Sequence, residues 1–200
     1  MSFTKALVTK LASNNPKFLG LYRKVCNPSG PEWANMLRPQ FRAMGQHCSI
    51  IYDTYIDTPS LVSLGDNVRL ASCTILTHDG VINMLERAYG DRLDAVSPVS
   101  IGNNVFVGRS ATILRGVTIG DNVVVAAGSV VSRDLESGYV YGGVPAKKIC
   151  TIEELRERLK KESEALPWYP LICSRKPGGY DPEMEPTLQA MRAEYFHPKG

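Results

Sequence analysis

IGNNVFVGRSATILRGVTIGDNVVVAAGSVV, residues 101–131, decides the fold. Read with a step of six, it gives Ile101, Val107, Ile113, Ile119, Val125 and Val131, a β-branched aliphatic every time. The position after each is Gly102, Gly108, Leu114, Gly120, Ala126 and Ser132, mostly small. The fourth position after each is Val105, Ala111, Val117, Val123, Ser129 and Leu135, again small or aliphatic. A helix repeats its apolar face every ~3.6 residues and a half-buried strand every ~2, so six fits neither. It fits a solenoid in which each hexapeptide is one short strand and one turn. Three such faces close a triangular coil, with the first aliphatic of each hexapeptide pointing inward.

Upstream, Leu64, Leu70 and Leu76 keep the step of six, with Val68 and Thr74 at the fourth offset. Ile50, Ile56 and Val62 keep it in another phase, and a bulge near Ser63 is expected to reconcile the two sets. Residues 77–98, THDGVINMLERAYGDRLDAVSP, break the pattern and are too long for a corner. The stretch 81–89 is expected to form one or two helical turns. An insertion projecting from a regular scaffold is where function concentrates. Residues 1–45 lack the hexad and read as a cap of short helices, one of them opening at Pro31 and Glu32. A cap protects strand edges that would otherwise invite end-to-end pairing. Residues 139–149, YVYGGVPAKKI, read as an exit turn. Thr151 and Glu154 suit a capping box for a helix over 151–166. Residues 167–200, with Trp168, Tyr169, Tyr180 and Tyr195, read as an extended tail without much regular structure. The domain reading is therefore a helical cap over 1–45, a β-helix over 46–150 with its inserted loop at 77–98, and a helix with tail over 151–200.

Composition excludes several classes. The chain has 200 residues, 44% hydrophobic and 22% charged, with a net charge of +3. A pI near 8.6 is too weak to argue for nucleic acid, but it allows a local basic patch for a phosphorylated ligand. Five scattered cysteines, Cys26, Cys48, Cys73, Cys150 and Cys173, form no CxxC pair. They read as reduced thiols of a cytoplasmic protein rather than as a zinc or disulfide framework. No apolar run of signal length follows Lys5 and Lys10, and no window reaches the ~20 apolar residues of a membrane span.

The run from Ile101 to Ile149 resembles the hexapeptide-repeat acyltransferases, most of all the galactoside, maltose and nodulation-type O-acetyltransferases, with xenobiotic acetyltransferases as cousins. The resemblance covers roughly residues 46–150. VAAGSVV followed by GGVPA points to the branch that uses acetyl-CoA. The resemblance implies an all-β solenoid, a left-handed parallel β-helix, in departure from the usual right-handed crossover. It also implies a homotrimer with threefold symmetry, whose heterologous contact closes into a ring. Each of its three active sites then lies between two subunits.

The family's catalytic histidine falls on His78, at the junction of a coil and the insertion. Imidazole titrates near neutral pH and suits a general base for a hydroxyl. His78 would take the hydroxyl proton as oxygen attacks the thioester carbonyl, then return it to the leaving thiolate. No acyl-enzyme and no cysteine nucleophile are required. The relatives carry Pro after this histidine, whereas this chain has Asp79, which either orients a substrate hydroxyl or caps the turn. Motif by motif, the coenzyme positions fall on Arg109, Ala127, Ser132, Arg133, Lys147 and Lys148. Small residues let a pantetheine arm approach the backbone, and cations would meet the phosphates. Each of these also has a plain structural reading, as corner packing or as solvated charge.

Acceptor contacts are the least legible. Asp53, Asp79 and Asn83 are candidates, and the insertion's Glu86, Arg87, Tyr89, Asp91, Arg92 and Asp94 suit either a sugar or solvent. One carboxylate near YDTYID, residues 52–57, would orient His78 as partners of functional histidines do. Which one is left open. The reading is an acetyl-CoA-dependent O-acetyltransferase acting on a sugar or polysaccharide precursor, with no metal, nucleic-acid or membrane partner. Alternatives are N-acetylation of an amino sugar, O-acetylation of an antibiotic, and a non-catalytic scaffold. A carbonic anhydrase on this solenoid would need three converging histidines, and the chain has only His47, His78 and His197.

Overall fold

The structure is a computed structural model that describes residues 3–176, 178 and 181–197. It divides into two compact units between Ile152 and Glu153.

The first unit opens with three helices, α1 (Phe3–Asn14), α2 (Leu19–Cys26) and α3 (Gly30–Leu37). Glu32 Oε2 accepts hydrogen bonds from the Ser29 N–H at 2.8 Å and hydroxyl at 2.7 Å, fixing the start of α3. Buried Trp33 stacks on Tyr22 with ring centres 6.2 Å apart. Gly30 sits so close to the first coil that a Cβ there would lie 2.3 Å from Ser49 Oγ.

Short strands then follow in rotation among three sheets as far as residue 131, and the last two both join the second sheet. The first sheet holds β1 (Ala43–Met44), β4 (Val62–Leu64), β7 (Val99–Ile101) and β10 (Thr118–Ile119). The second holds β2 (Ser49–Ile50), β5 (Arg69–Leu70), β8 (Val105–Val107), β11 (Val123–Val125), β13 (Tyr139–Gly142) and β14 (Lys147–Thr151). The third holds β3 (Tyr55–Ile56), β6 (Thr74–Ile75), β9 (Thr112–Ile113) and β12 (Val130–Val131). All pairings are parallel except that of β13 with β14. A chain that visits three parallel sheets in turn is a three-sided coil.

The core is the set of inward aliphatics. Ile101, Val107, Ile113, Ile119, Val125 and Val131 are all buried, as are Val105, Ala111, Val117, Val123 and Leu135 at the fourth offset. Each fully buried Val or Ile contributes roughly 1.5–3 kcal/mol of burial free energy. One outer corner of the coil is held by a polar ladder. Asn67, Asn104 and Asn122 have φ of 54°, 55° and 54°, and their amides bond in series at 3.0 Å each. Asn is among the few non-glycine residues that tolerate this left-handed backbone. His47, with φ of 58°, takes the same kind of corner at the foot of the ladder.

Several sequence expectations are corrected. The inward residue of β6 is Ile75, fully buried and in register with Ile113, not the half-buried Leu76. The corner Ala71–Ser72 is one residue shorter than Gly108–Arg109–Ser110 above it, so the step there is five. No bulge falls at Ser63, which pairs regularly with Ala43 and Ser100. The phase shift is absorbed instead by a 3-10 turn, Pro59–Leu61. The exit turn at 139–149 is the β13–β14 antiparallel hairpin, with a cis Val144–Pro145 bond.

The second unit contains α5 (Ile152–Glu164), α6 (Tyr169–Ser174) and α7 (Glu185–Phe196). The expected tail is thus largely helical. Trp168 meets the rings of Tyr195 and Phe196 at 5.5 and 5.9 Å. Edge-on aromatic packing of this kind gives a short segment a core that no repeat announces. Tyr180 lies outside the described residues. Among the described residues no helix is long and apolar enough to cross a membrane.

Candidate active site

The site begins where the coil is interrupted. After β6 the chain passes through Leu76 and fully buried Thr77, then leaves the coil at His78. The insertion returns at Val96, which pairs with His78. Its root is closed by the Asp79 N–H donating to Ala95 O at 3.0 Å and the Ser97 N–H donating to Thr77 O at 2.8 Å. His78 therefore stands on a pinned base rather than on a free loop. Beyond it, α4 (Val81–Tyr89) ends at Gly90, whose φ of 81° suits glycine.

One coil below, Asp57 follows β3 and lies beneath Thr77. Its side chain is 3% exposed. Asp57 Oδ1 accepts the Thr77 hydroxyl at 2.6 Å, and the Thr77 N–H reaches both carboxylate oxygens at 3.0–3.1 Å. Asp57 Oδ2 lies 2.6 Å from His78 Nδ1. Burial pushes the Asp57 carboxyl up, but the bonds from Thr77, Thr58 and His78 outweigh it and hold the group below its ordinary value. Asp57 is therefore a carboxylate at neutral pH. The Nδ1–H of His78 donates to it, which leaves Nε2 as the acceptor on a ring whose side chain is 54% exposed.

Of the two carboxylates in YDTYID, Asp53 and Asp57, Asp57 is thus the one at the histidine. Asp53 stands on another corner of the coil, between the second and third sheets. It accepts the Ser72 hydroxyl at 2.5 Å and lies 3.9 Å from Arg109 Nη2. Arg109, Ala127 and Gly128 stack above it on that corner, with the Gly128 N–H donating to Arg109 O at 2.8 Å. Ser132 and Arg133 are exposed at the corner between the third and first sheets, the one that carries His78. Lys147 and Lys148 are exposed on β14. Lys148 is engaged by Glu136 Oε2 at 2.8 Å and by the Tyr139 ring at 3.8 Å. Lys147, Arg133 and Arg115 have no carboxylate partner among the described residues. Asp79 accepts the Val81 N–H at 3.0 Å, the turn-capping arrangement. Asn83 is exposed on α4. Thr77, which fixes Asp57, was not singled out in the sequence. Its signal is a hydroxyl two residues after an inward aliphatic and one before His78.

The cysteines give no competing nucleophile in the coil. Burial pushes the Cys73 thiol up to about 12 and raises that of Cys48, so both stay protonated. Among the described residues, no three His, Cys, Asp or Glu side chains are grouped to hold a metal ion.

Residues 98–133 match the family model described as hexapeptide repeat of succinyl-transferase. Protein CapG of Staphylococcus aureus is 38% identical over 125 residues, covering 60% of this chain and 72% of CapG. The chain belongs to the hexapeptide-repeat acyltransferases. Within that family, the galactoside O-acetyltransferase of Escherichia coli (strain K12) is 39% identical over 94 residues, 46% of this chain. The matches span 45% of that enzyme's length and 57% of a Bacillus subtilis relative's. A solved galactoside acetyltransferase in complex with coenzyme A superposes with a TM-score of 0.52 at 26% identity, covering 78% of this chain and 86% of that one.

Proposed function

We propose that this hexapeptide-repeat protein is an acetyl-CoA-dependent O-acetyltransferase acting on a hydroxyl of a sugar or polysaccharide precursor. The observation that carries the reading is the His78–Asp57 contact at 2.6 Å with the carboxylate buried. A sugar hydroxyl is a weak nucleophile while protonated, and His78 Nε2 is the general base that accepts its proton. Asp57 holds the imidazole in the tautomer that offers Nε2 and stabilises the imidazolium that forms. Thr77 fixes Asp57 in turn. His78 then releases the proton to the departing thiolate. No protein nucleophile is needed, and the acylated product forms in one displacement.

Acetyl-CoA supplies the activated acyl group as a thioester. The residues present suit it. Ala127 and Gly128 leave an open, small-residue corner, and beyond its chain neighbours nothing comes within 4 Å of where a Gly128 Cβ would stand. Lys147 and Arg133, without a carboxylate partner among the described residues, are placed for phosphates, whereas Lys148 is held by Glu136. His78 and the Arg109–Ala127 column stand on different corners of one chain. A left-handed coil assembled as a threefold trimer brings His78 of one subunit against the other corner of its neighbour. The relatives named for galactoside acetylation support a sugar hydroxyl as acceptor.

The test is thiol release from acetyl-CoA against a panel of sugars, nucleotide sugars and hydroxylated antibiotics, with mass detection of products. A gain of one acetyl group on a sugar hydroxyl is expected. Acetylation only of amines would overturn the O-transfer assignment, and CoA binding without turnover on any acceptor would indicate a scaffold.

A further inference from the structure

Between α2 and the first coil lies an open cleft of ≈ 500 Å³ lined by Gly20, Arg23, Lys24, Asn27 and Tyr52. The Arg23 guanidinium sits 4.0 Å from the centre of the Tyr52 ring. A guanidinium laid on a ring loses little hydration and keeps its in-plane N–H groups free for an oxyanion. Lys24 adds a second cation. Neither is paired with a carboxylate among the described residues. Asp53, next in sequence to Tyr52, is turned to Ser72 and Arg109 instead. Gly20 adds no side chain to the cleft wall, and beyond its own helix and chain neighbours nothing comes within 4 Å of where its Cβ would stand.

Two uncompensated cations at one cleft repel each other unless an anion joins them. Tyr52 also belongs to the corner that continues upward through Ser72, Arg109 and Ala127. The cleft is thus the foot of the column assigned to the coenzyme. We propose that it binds a carboxylate or phosphate group of the acceptor, so that the acceptor is an acidic saccharide. This rests on the acetyltransferase reading given above. Arg23 supplies the bidentate donor, Lys24 the second charge, and the exposed part of Tyr52 an apolar surface for a sugar ring.

The experiment titrates glucuronic acid, glucose 1-phosphate and neutral glucose into the full chain by calorimetry, for wild type and for Arg23→Ala/Lys24→Ala. CoA binding and thermal melting serve as folding controls. Either anionic sugar is expected to bind at least tenfold more tightly than glucose, and the double variant to lose at least tenfold of that. The preferred probe tells carboxylate from phosphate. Tyr52→Leu, which keeps both cations but removes the ring, is expected to weaken binding less than the double variant does. Equal binding of glucose and both anions, or unchanged binding in the double variant, would overturn the proposal. Acetyl transfer is read separately on the same samples. Anion binding that depends on Arg23 and Lys24, without transfer to any sugar, would overturn the acetyltransferase reading and leave the anion site standing.

Discussion

At the scale of the residue, the chemistry rests on a buried carboxylate behind a half-exposed imidazole. Asp57→Asn keeps the shape but removes the charge that favours imidazolium. Turnover is expected to fall on the order of 10–100-fold, as when partners that orient functional histidines are removed. The loss should appear in kcat with CoA affinity unchanged, because Asp57 acts through the His78 ring. A loss of CoA affinity alongside the rate would reduce Asp57 to packing. The same group links stability to pH. Its pKa is depressed in the fold relative to an unfolded value of about 3.9. Its stabilisation is therefore present above that value and is lost as pH falls through the depressed one. Denaturant unfolding should show a stability gap between wild type and Asp57→Asn at pH 6 that narrows by pH 3. The sequence singled out His78 and confined its partner to residues 52–57. It left the choice open because the partner lies one coil away, and only the coil register decides whether position 53 or 57 falls beneath Thr77.

At the scale of the element, the hexad was legible wherever each coil repeats the last, from Ile101 to Val131. It blurred at Ala71–Ser72, where one corner is a residue shorter, and at Pro59–Leu61, where a 3-10 turn lengthens another. Both changes move the phase without altering composition, so Leu76 mimics the inward position that Ile75 holds. The helices of the second unit were hidden for another reason: their packing rests on Trp168, Tyr195 and Phe196, which carry no period. The Asn ladder offers a test of corner chemistry. Asn104→Ala places a Cβ-bearing side chain without a local hydrogen bond at φ 55°, a conformation costing about 1–2 kcal/mol. Asn104→Gly loses the ladder bonds but relieves that strain. Denaturant midpoints should therefore rank wild type first, glycine second and alanine last, the reverse of the order in a helix. An alanine variant as stable as the glycine one would contradict the role given to backbone strain.

At the scale of the whole molecule, the separation of the two columns has a consequence. His78 with Arg133 occupies one corner of the coil, and Arg109 with Ala127 another, so under the proposed function a single chain presents two half-sites. If neighbouring subunits complete them, two inactive variants should rescue one another. Co-expression of His78→Ala with Ala127→Trp, which fills the small-residue corner, is expected to give mixed trimers that regain part of the activity. Each variant alone should form an inactive trimer by sedimentation. Absence of rescue in mixed trimers would place both half-sites of one reaction on the same subunit.

Under the proposed function, His78 is the base of an acetyl transfer. The most direct measurement compares wild type and His78→Ala for acetylated product formed from acetyl-CoA, with CoA affinity and oligomeric state measured alongside. A loss of about 10²–10⁴-fold in product formation, with CoA still bound, is the predicted result. Equal rates in the two proteins would contradict the account.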